Sequence, residues 1–138
     1  MSIHSLTNCN GFGSYLTPYI ETSPIKVVMT YLGQRWTMNI IQDMMMGYKK
    51  YTDFLSLNKG LSSRVLSQRL KELESAGIVK KEIISKDIEY SLTEKGMHLN
   101  RVLFQLAVFS FEFHKKDIFT DDPMKEEEFI SLIKQMYL

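Results

Sequence analysis

LSSRVLSQRLKELESAGIVKK, from Leu61 to Lys81, is the stretch that decides how the chain is read. Ser62 stands where a side-chain oxygen accepts from the unpaired N–H groups of a helix's first turn, and Gly77 stands where such a helix stops. Leu66, Leu70 and Leu73 recur at four- and three-residue steps and so share one face. At about 100° per residue, Arg64, Ser67, Gln68 and Lys71 gather on the opposite face. That face holds two cations, an amide and a hydroxyl, with no carboxylate. Such a helix, spanning Ser62–Ala76, suits the major groove of duplex DNA: Arg64 can pair bidentately with a guanine edge and Gln68 with adenine. An ordinary solvated face would carry the same residues, so the surroundings of the helix have to decide. Arg69 lies nearer the apolar side, where an ion pair within the protein suits it better than base reading.

Working backwards, Tyr51-Thr52-Asp53-Phe54-Leu55 begins a short helix with Thr52 as its possible cap, and Asn58-Lys59-Gly60 breaks it. Two short helices joined by a tight turn form a helix-turn-helix. Working forwards, Ile78–Ile84 and Ile88–Leu92 read as strands around Ser85-Lys86-Asp87, a hairpin or wing. Lys49, Lys50, Lys80, Lys81 and Lys86, with Ser62 and Ser63 at the helix start, are candidate phosphate contacts, which supply affinity without sequence information. Neighbouring strand residues point to opposite faces, so Lys80 and Lys81 cannot both face DNA.

Ser23-Pro24 can open an earlier helix, Ile25–Leu32, with Ser at the cap and Pro at the first position. Arg35–Met46 forms another, with Trp36, Ile40, Ile41 and Met44 inward and Gly47 as its stop. Trp36 beside Met44-Met45-Met46 could line a ligand pocket, but its place on the inward stripe favours core packing. After the hairpin, Thr93-Glu94-Lys95-Gly96 caps a helix running to about Lys115, and Asp122-Pro123 starts a last one, Met124–Tyr137. The Lys115 helix is apolar on more than one face (Leu99, Val102, Leu103, Leu106, Val108, Phe109, Phe113) and must be buried on several sides. A second copy of the chain would do this. Ile25, Val28, Met29, Val102, Leu103, Leu106, Phe109 and Phe113 are the expected dimer contacts.

At 138 residues and 44% hydrophobic the chain can bury one core. The formal net charge of +1 conceals its distribution. Lys49 to Lys86 holds nine cations and four anions, whereas Asp117 to the end holds six anions and two cations. A basic middle suits a polyanion, with the acidic tail turned away from it. No apolar run approaches a membrane span and no basic-then-apolar leader opens the sequence, so a cytoplasmic protein is expected. Cys9 alone excludes a disulfide framework, and Cys9 with His4, His98 and His114 makes no metal-ligand spacing, so neither metal nor cofactor is expected. No nucleophile–base arrangement can be read either, and catalysis is not expected.

From Ser23 to about Lys115 the sequence resembles the HxlR family of winged helix-turn-helix regulators, relatives of the MarR family. The resemblance is carried by LGQRW (Leu32–Trp36), KKYTDFLSL (Lys49–Leu57), LSSRVLSQRLKELESAGIV (Leu61–Val79) and IEYSLTEKG (Ile88–Gly96), in order and near family spacing. It implies a homodimeric prokaryotic transcription factor on inverted-repeat DNA, with the helix matching Ser62–Ala76 in the major groove and the hairpin on phosphate or minor groove. It departs from the family in three places. Serine stands at Ser23 where members usually carry cysteine, so the redox sensing that some of them place on that cysteine does not carry over. The stretch between the strands is shorter, and the N-terminal arm and acidic C-terminal helix have no counterpart.

The expected fold is therefore α+β and mainly helical: a winged helix-turn-helix at 23–116 with dimerisation helices, an arm at 1–22 and an acidic helix at 117–138. The expected function is sequence-specific binding of double-stranded DNA to regulate transcription. The alternative is a winged-helix protein-interaction module without specific DNA binding.

Overall fold

The computed structural model describes residues 22–118 and 126–137. The expectations for His4, Cys9, the arm and the Asp122-Pro123 helix start fall outside them. Among the described residues the order is α1 (Pro24–Leu32), α2 (Thr37–Met45), α3 (Tyr51–Leu57), α4 (Ser63–Ser75), β1 (Val79–Ile84), β2 (Asp87–Leu92), α5 (Glu94–Met97), α6 (Asn100–Phe113), α7 (Lys115–Ile118) and α8 (Glu126–Tyr137). The expected class, helices with one antiparallel hairpin, is the observed one.

One core gathers the apolar stripes of these helices. Ile40, Ile41 and Met44 from α2, Phe54 from α3, and Leu66, Leu70 and Leu73 from α4 are all buried, joined by Ile78 and Val79 at the hairpin base. Trp36 packs against this core half-buried, in the left-handed region at φ 75°. Gly60, at φ +96° in the turn between α3 and α4, lies against the Trp36 ring. That turn is fixed by Asn58: its buried Nδ2 donates to the Asp43 carboxylate at 2.6 Å and to the Phe54 carbonyl at 2.9 Å. Burial raises the Asp43 carboxyl above its ordinary value, and the Asn58 hydrogen bond partly offsets this.

Several boundaries differ from expectation, each for a local reason. Helix α1 has Ser23 and Pro24 where expected, but the Ser23 hydroxyl makes no capping bond. Helix α3 is capped at Lys50 rather than Thr52, because the Asp53 carboxylate accepts the Lys50 N–H at 3.2 Å. The expected long helix to Lys115 is broken. Thr93 caps only the single turn α5, accepting from the Gly96 N–H at 3.1 Å, and a turn at His98–Leu99 precedes α6. The C-terminal helix α8 adds Phe129, Ile133 and Tyr137 to the same core, with Phe129 stacked on Phe111 of α6 at 4.2 Å between ring centroids.

Candidate nucleic-acid interface

Helix α4 begins as its sequence requires. Ser62 Oγ accepts from the Val65 N–H at 3.2 Å, which satisfies one free donor of the first turn. With the three leucines buried, Ser62, Ser63, Arg64, Ser67, Gln68 and Lys71 are all exposed. Arg64 and Lys71 engage no hydrogen bond or ion pair among the described residues, so both cations remain available to an external partner. Gln68 Nε2 donates to the Glu72 carboxylate at 3.2 Å, and its amide must turn away from that bond to meet a base edge.

Ser67 is more constrained than its sequence suggested. The Tyr51 hydroxyl lies 2.8 Å from Ser67 Oγ and donates to the Ser63 carbonyl at 2.7 Å, so α3 grips the first turns of α4. Sequence reasoning did not find Tyr51, because nothing local to α3 reveals that its first residue reaches α4. Arg69 behaves as expected of a structural residue: Nη1 pairs with Glu72 at 2.9 Å, and Nε donates to the Arg35 carbonyl at 3.0 Å.

The hairpin pairs Val79 with Leu92 through to Ile84 with Asp87, and its two-residue turn is Ser85-Lys86. Paired residues project from the same face of a ladder, and this separates the two lysines. Lys81, opposite Tyr90, lies on the face towards α4, where the two line a cleft of about 340 Å³ with Ser67, Leu70, Lys71 and Glu74. Burial, and then the Glu74 carboxylate and Tyr51, hold the Tyr90 hydroxyl above its ordinary pKa, so it remains a neutral donor. Lys80 lies on the other face and pairs with Glu82 at 3.1 Å. Lys86 occupies the tip, exposed. Lys49 and Lys50 are exposed too, on a segment bridged to the wing: the Lys49 carbonyl accepts the Tyr90 N–H at 2.8 Å, and Lys50 stands opposite Glu89. The structure thus brings Lys71 and Lys81 to one cleft, with Arg64 two turns earlier on the same exposed face of α4, and leaves Lys80 outside it.

Of the residues expected to meet a second copy, Ile25, Met29, Val102, Leu106, Phe109 and Phe113 are exposed, Phe113 at 63%. Leu103, only 6% exposed, belongs instead to the chain's own core, and Val28 packs half-buried against it. Periodicity on an all-round apolar helix could not tell which side meets the core. Among the described residues no cluster of potential metal ligands occurs, and His114 Nδ1 lies 3.4 Å from the Asp117 carboxylate on the same segment. Nor is any helix among them long and apolar enough to cross a membrane.

Comparison with known proteins agrees with this geometry. The model of the HxlR-like helix-turn-helix family matches residues 31–117. The uncharacterized HTH-type transcriptional regulator YvaP of Bacillus subtilis is 38% identical over 85 residues, covering 59% of this chain and 79% of that protein. The HTH-type transcriptional regulator YodB of B. subtilis is 30% identical over 104 residues, covering 73% of this chain and 88% of YodB. Its reduced form superposes with a TM-score of 0.60 at 29% identity, covering 69% of this chain and 97% of that one. The family match, the capped α4 and the hairpin beside it lead to one conclusion: the chain belongs to the HxlR-like helix-turn-helix family and is a DNA-binding transcriptional regulator.

Proposed function

We propose that the protein regulates transcription as a cytoplasmic homodimer bound to an inverted-repeat operator, acting through DNA binding and not catalysis. Helix α4 enters the major groove, with Arg64, Ser67, Gln68 and Lys71 towards base edges. Ser62, Ser63, Lys49, Lys50, Lys81 and Lys86 lie along the phosphates. The observation that carries this reading is that Lys71 of α4 and Lys81 of the hairpin, both unengaged, line one cleft with Glu74, while Arg64 stands exposed and unengaged two turns earlier on the same face of α4. Lys80 is the weakest of the candidate phosphate contacts, being paired with Glu82 on the other face.

The dimer is supported by the α6 stripe Val102, Leu106, Phe109 and Phe113, exposed at i, i+4, i+7 and i+11. A two-fold dimer presents two copies of α4 in opposite sense, which is the symmetry of an inverted repeat.

The test is titration of fluorescent duplexes from the protein's own upstream region against scrambled ones. Arg64→Ala should lower affinity for the cognate duplex by about 1–3 kcal/mol and relax base preference at one position per half-site. Unchanged affinity and preference would remove α4 from the groove.

A further inference from the structure

The hairpin has two unlike faces. Cross-strand pairing sets Val79 with Leu92, Lys81 with Tyr90, and Ile83 with Ile88 on the face towards α4. The hairpin contributes no carboxylate to that face, whereas Glu82, Asp87 and Glu89 all lie on the other, with Lys80 and Ile84. A polyanion is therefore accepted on the α4 side and repelled on the other. The Ile83–Ile88 pair ends the accepted side as one apolar block, since β-carbons of such a pair stand about 5 Å apart. Ile83 is 77% exposed, more than any other large apolar residue described, and Ile88 is 42% exposed. Lys86, in the turn that follows, adds an exposed cation at the tip.

Phosphates give an isoleucine nothing to pack against, but the walls of a groove and the faces of stacked bases do. At about 3.3 Å per residue, the pair stands roughly 7 Å past Lys81 towards the tip. With Lys81 on one phosphate strand, that step carries the pair over the strand to the minor groove, which is about 6 Å wide. Apolar side chains, isoleucine among them, wedge between base steps from the minor groove and kink the duplex by about 20–90°. We propose that the Ile83–Ile88 pair is such a wedge: given the orientation of α4 and Lys81 on DNA proposed above, on which it depends, it enters the minor groove beside each half-site, opens one base step and bends the operator. Pyrimidine–purine steps are the most easily kinked, so a TA or CA step at that position is the preferred substrate.

Titration of duplexes from the protein's own upstream region, with a donor and an acceptor dye at the two ends, reads affinity and bend together. The unmodified protein should raise energy transfer between the ends. Ile83→Thr with Ile88→Thr keeps the β-branched shape of both strands and removes the apolar block. This variant should bind at least tenfold more weakly and, at saturation, leave transfer at the level of free duplex. Its slope of log affinity against log salt should be unchanged, because no cation is lost. Ile84→Thr, the same change on the other face, should keep both affinity and bend. The wedge is overturned, with the regulator reading intact, if the unmodified protein binds without raising transfer, if the double variant retains affinity and bend, or if Ile84→Thr causes equal losses. A double variant that sediments as a monomer where the unmodified protein is a dimer would assign the pair to a second copy instead. No salt-sensitive duplex binding by the unmodified protein would overturn both readings.

Discussion

Gly96 is buried in α5, and a β-carbon there would stand 2.2 Å from the Ile78 carbonyl oxygen, backbone that cannot swing aside. Gly96→Ala should therefore force α5 off the hairpin base and destabilise the protein by about 1–3 kcal/mol, seen as a lower urea midpoint. An unchanged midpoint would mean that α5 relaxes without cost. In the sequence this glycine looked like an ordinary member of a helix start, since what it meets lies eighteen residues away. Arg69 was legible, because its place at the edge of the apolar stripe demanded a partner within the protein. Ser67 was only half legible: helical phase placed it outward, but the Tyr51 hydroxyl depends on how α3 crosses α4, which no local pattern encodes.

At the scale of elements, α4 and the hairpin were readable because each is punctuated chemically. Ser62 and Gly77 bound the helix, and a short polar turn separates two β-branched runs. What alternation left undecided was which face of the hairpin meets α4. The register decides it, and a prediction follows for phosphate contact. Lys81→Ala should reduce the slope of log affinity against log salt by about 1 and weaken cognate and scrambled duplexes alike, whereas Lys80→Ala should leave the slope unchanged. Equal effects of the two substitutions would contradict the facing assigned from the register. The turn itself is strained: Ser85 and Lys86 hold φ of 49° and 76°, a pattern of two-residue hairpins that Asn-Gly adopts most easily. Ser85→Asn with Lys86→Gly should raise stability by roughly 1 kcal/mol, read from the same urea transition, and no gain would show that the strain is absorbed elsewhere.

For the whole molecule, the acidic C-terminal segment was read from its charge, and charge could not show that Phe129, Ile133 and Tyr137 would complete the core begun by α2. Nor could an all-round apolar α6 show that Leu103 faces inward and Phe109 outward. With that orientation known, the proposed dimer face can be tested directly. Phe109→Glu with Phe113→Glu places carboxylates where a second copy would bury them, at a cost of about 3 kcal/mol or more, which is roughly a hundredfold in dimer dissociation. Sedimentation velocity should show monomers at micromolar concentration, with operator affinity falling in parallel. Variants that stay dimeric would place the interface elsewhere.

The far end of α4 is also held. Lys95 Nζ donates to the Ala76 carbonyl at 2.7 Å, and the Thr93 hydroxyl and amide bond the Gly77 and Ile78 carbonyls. The segment that ties off α4 thus leads directly into α6, with only the His98–Leu99 turn between them. Mechanically this is a crank with little slack. At about 1.5 Å per residue α6 is roughly 20 Å long, so a tilt of about 10° in a dimer would move its far end by about 3–4 Å. That is about one base-pair step along DNA. A small change in how two copies meet would then act as a change of gauge between their α4 helices, enough to spoil the match to a fixed operator.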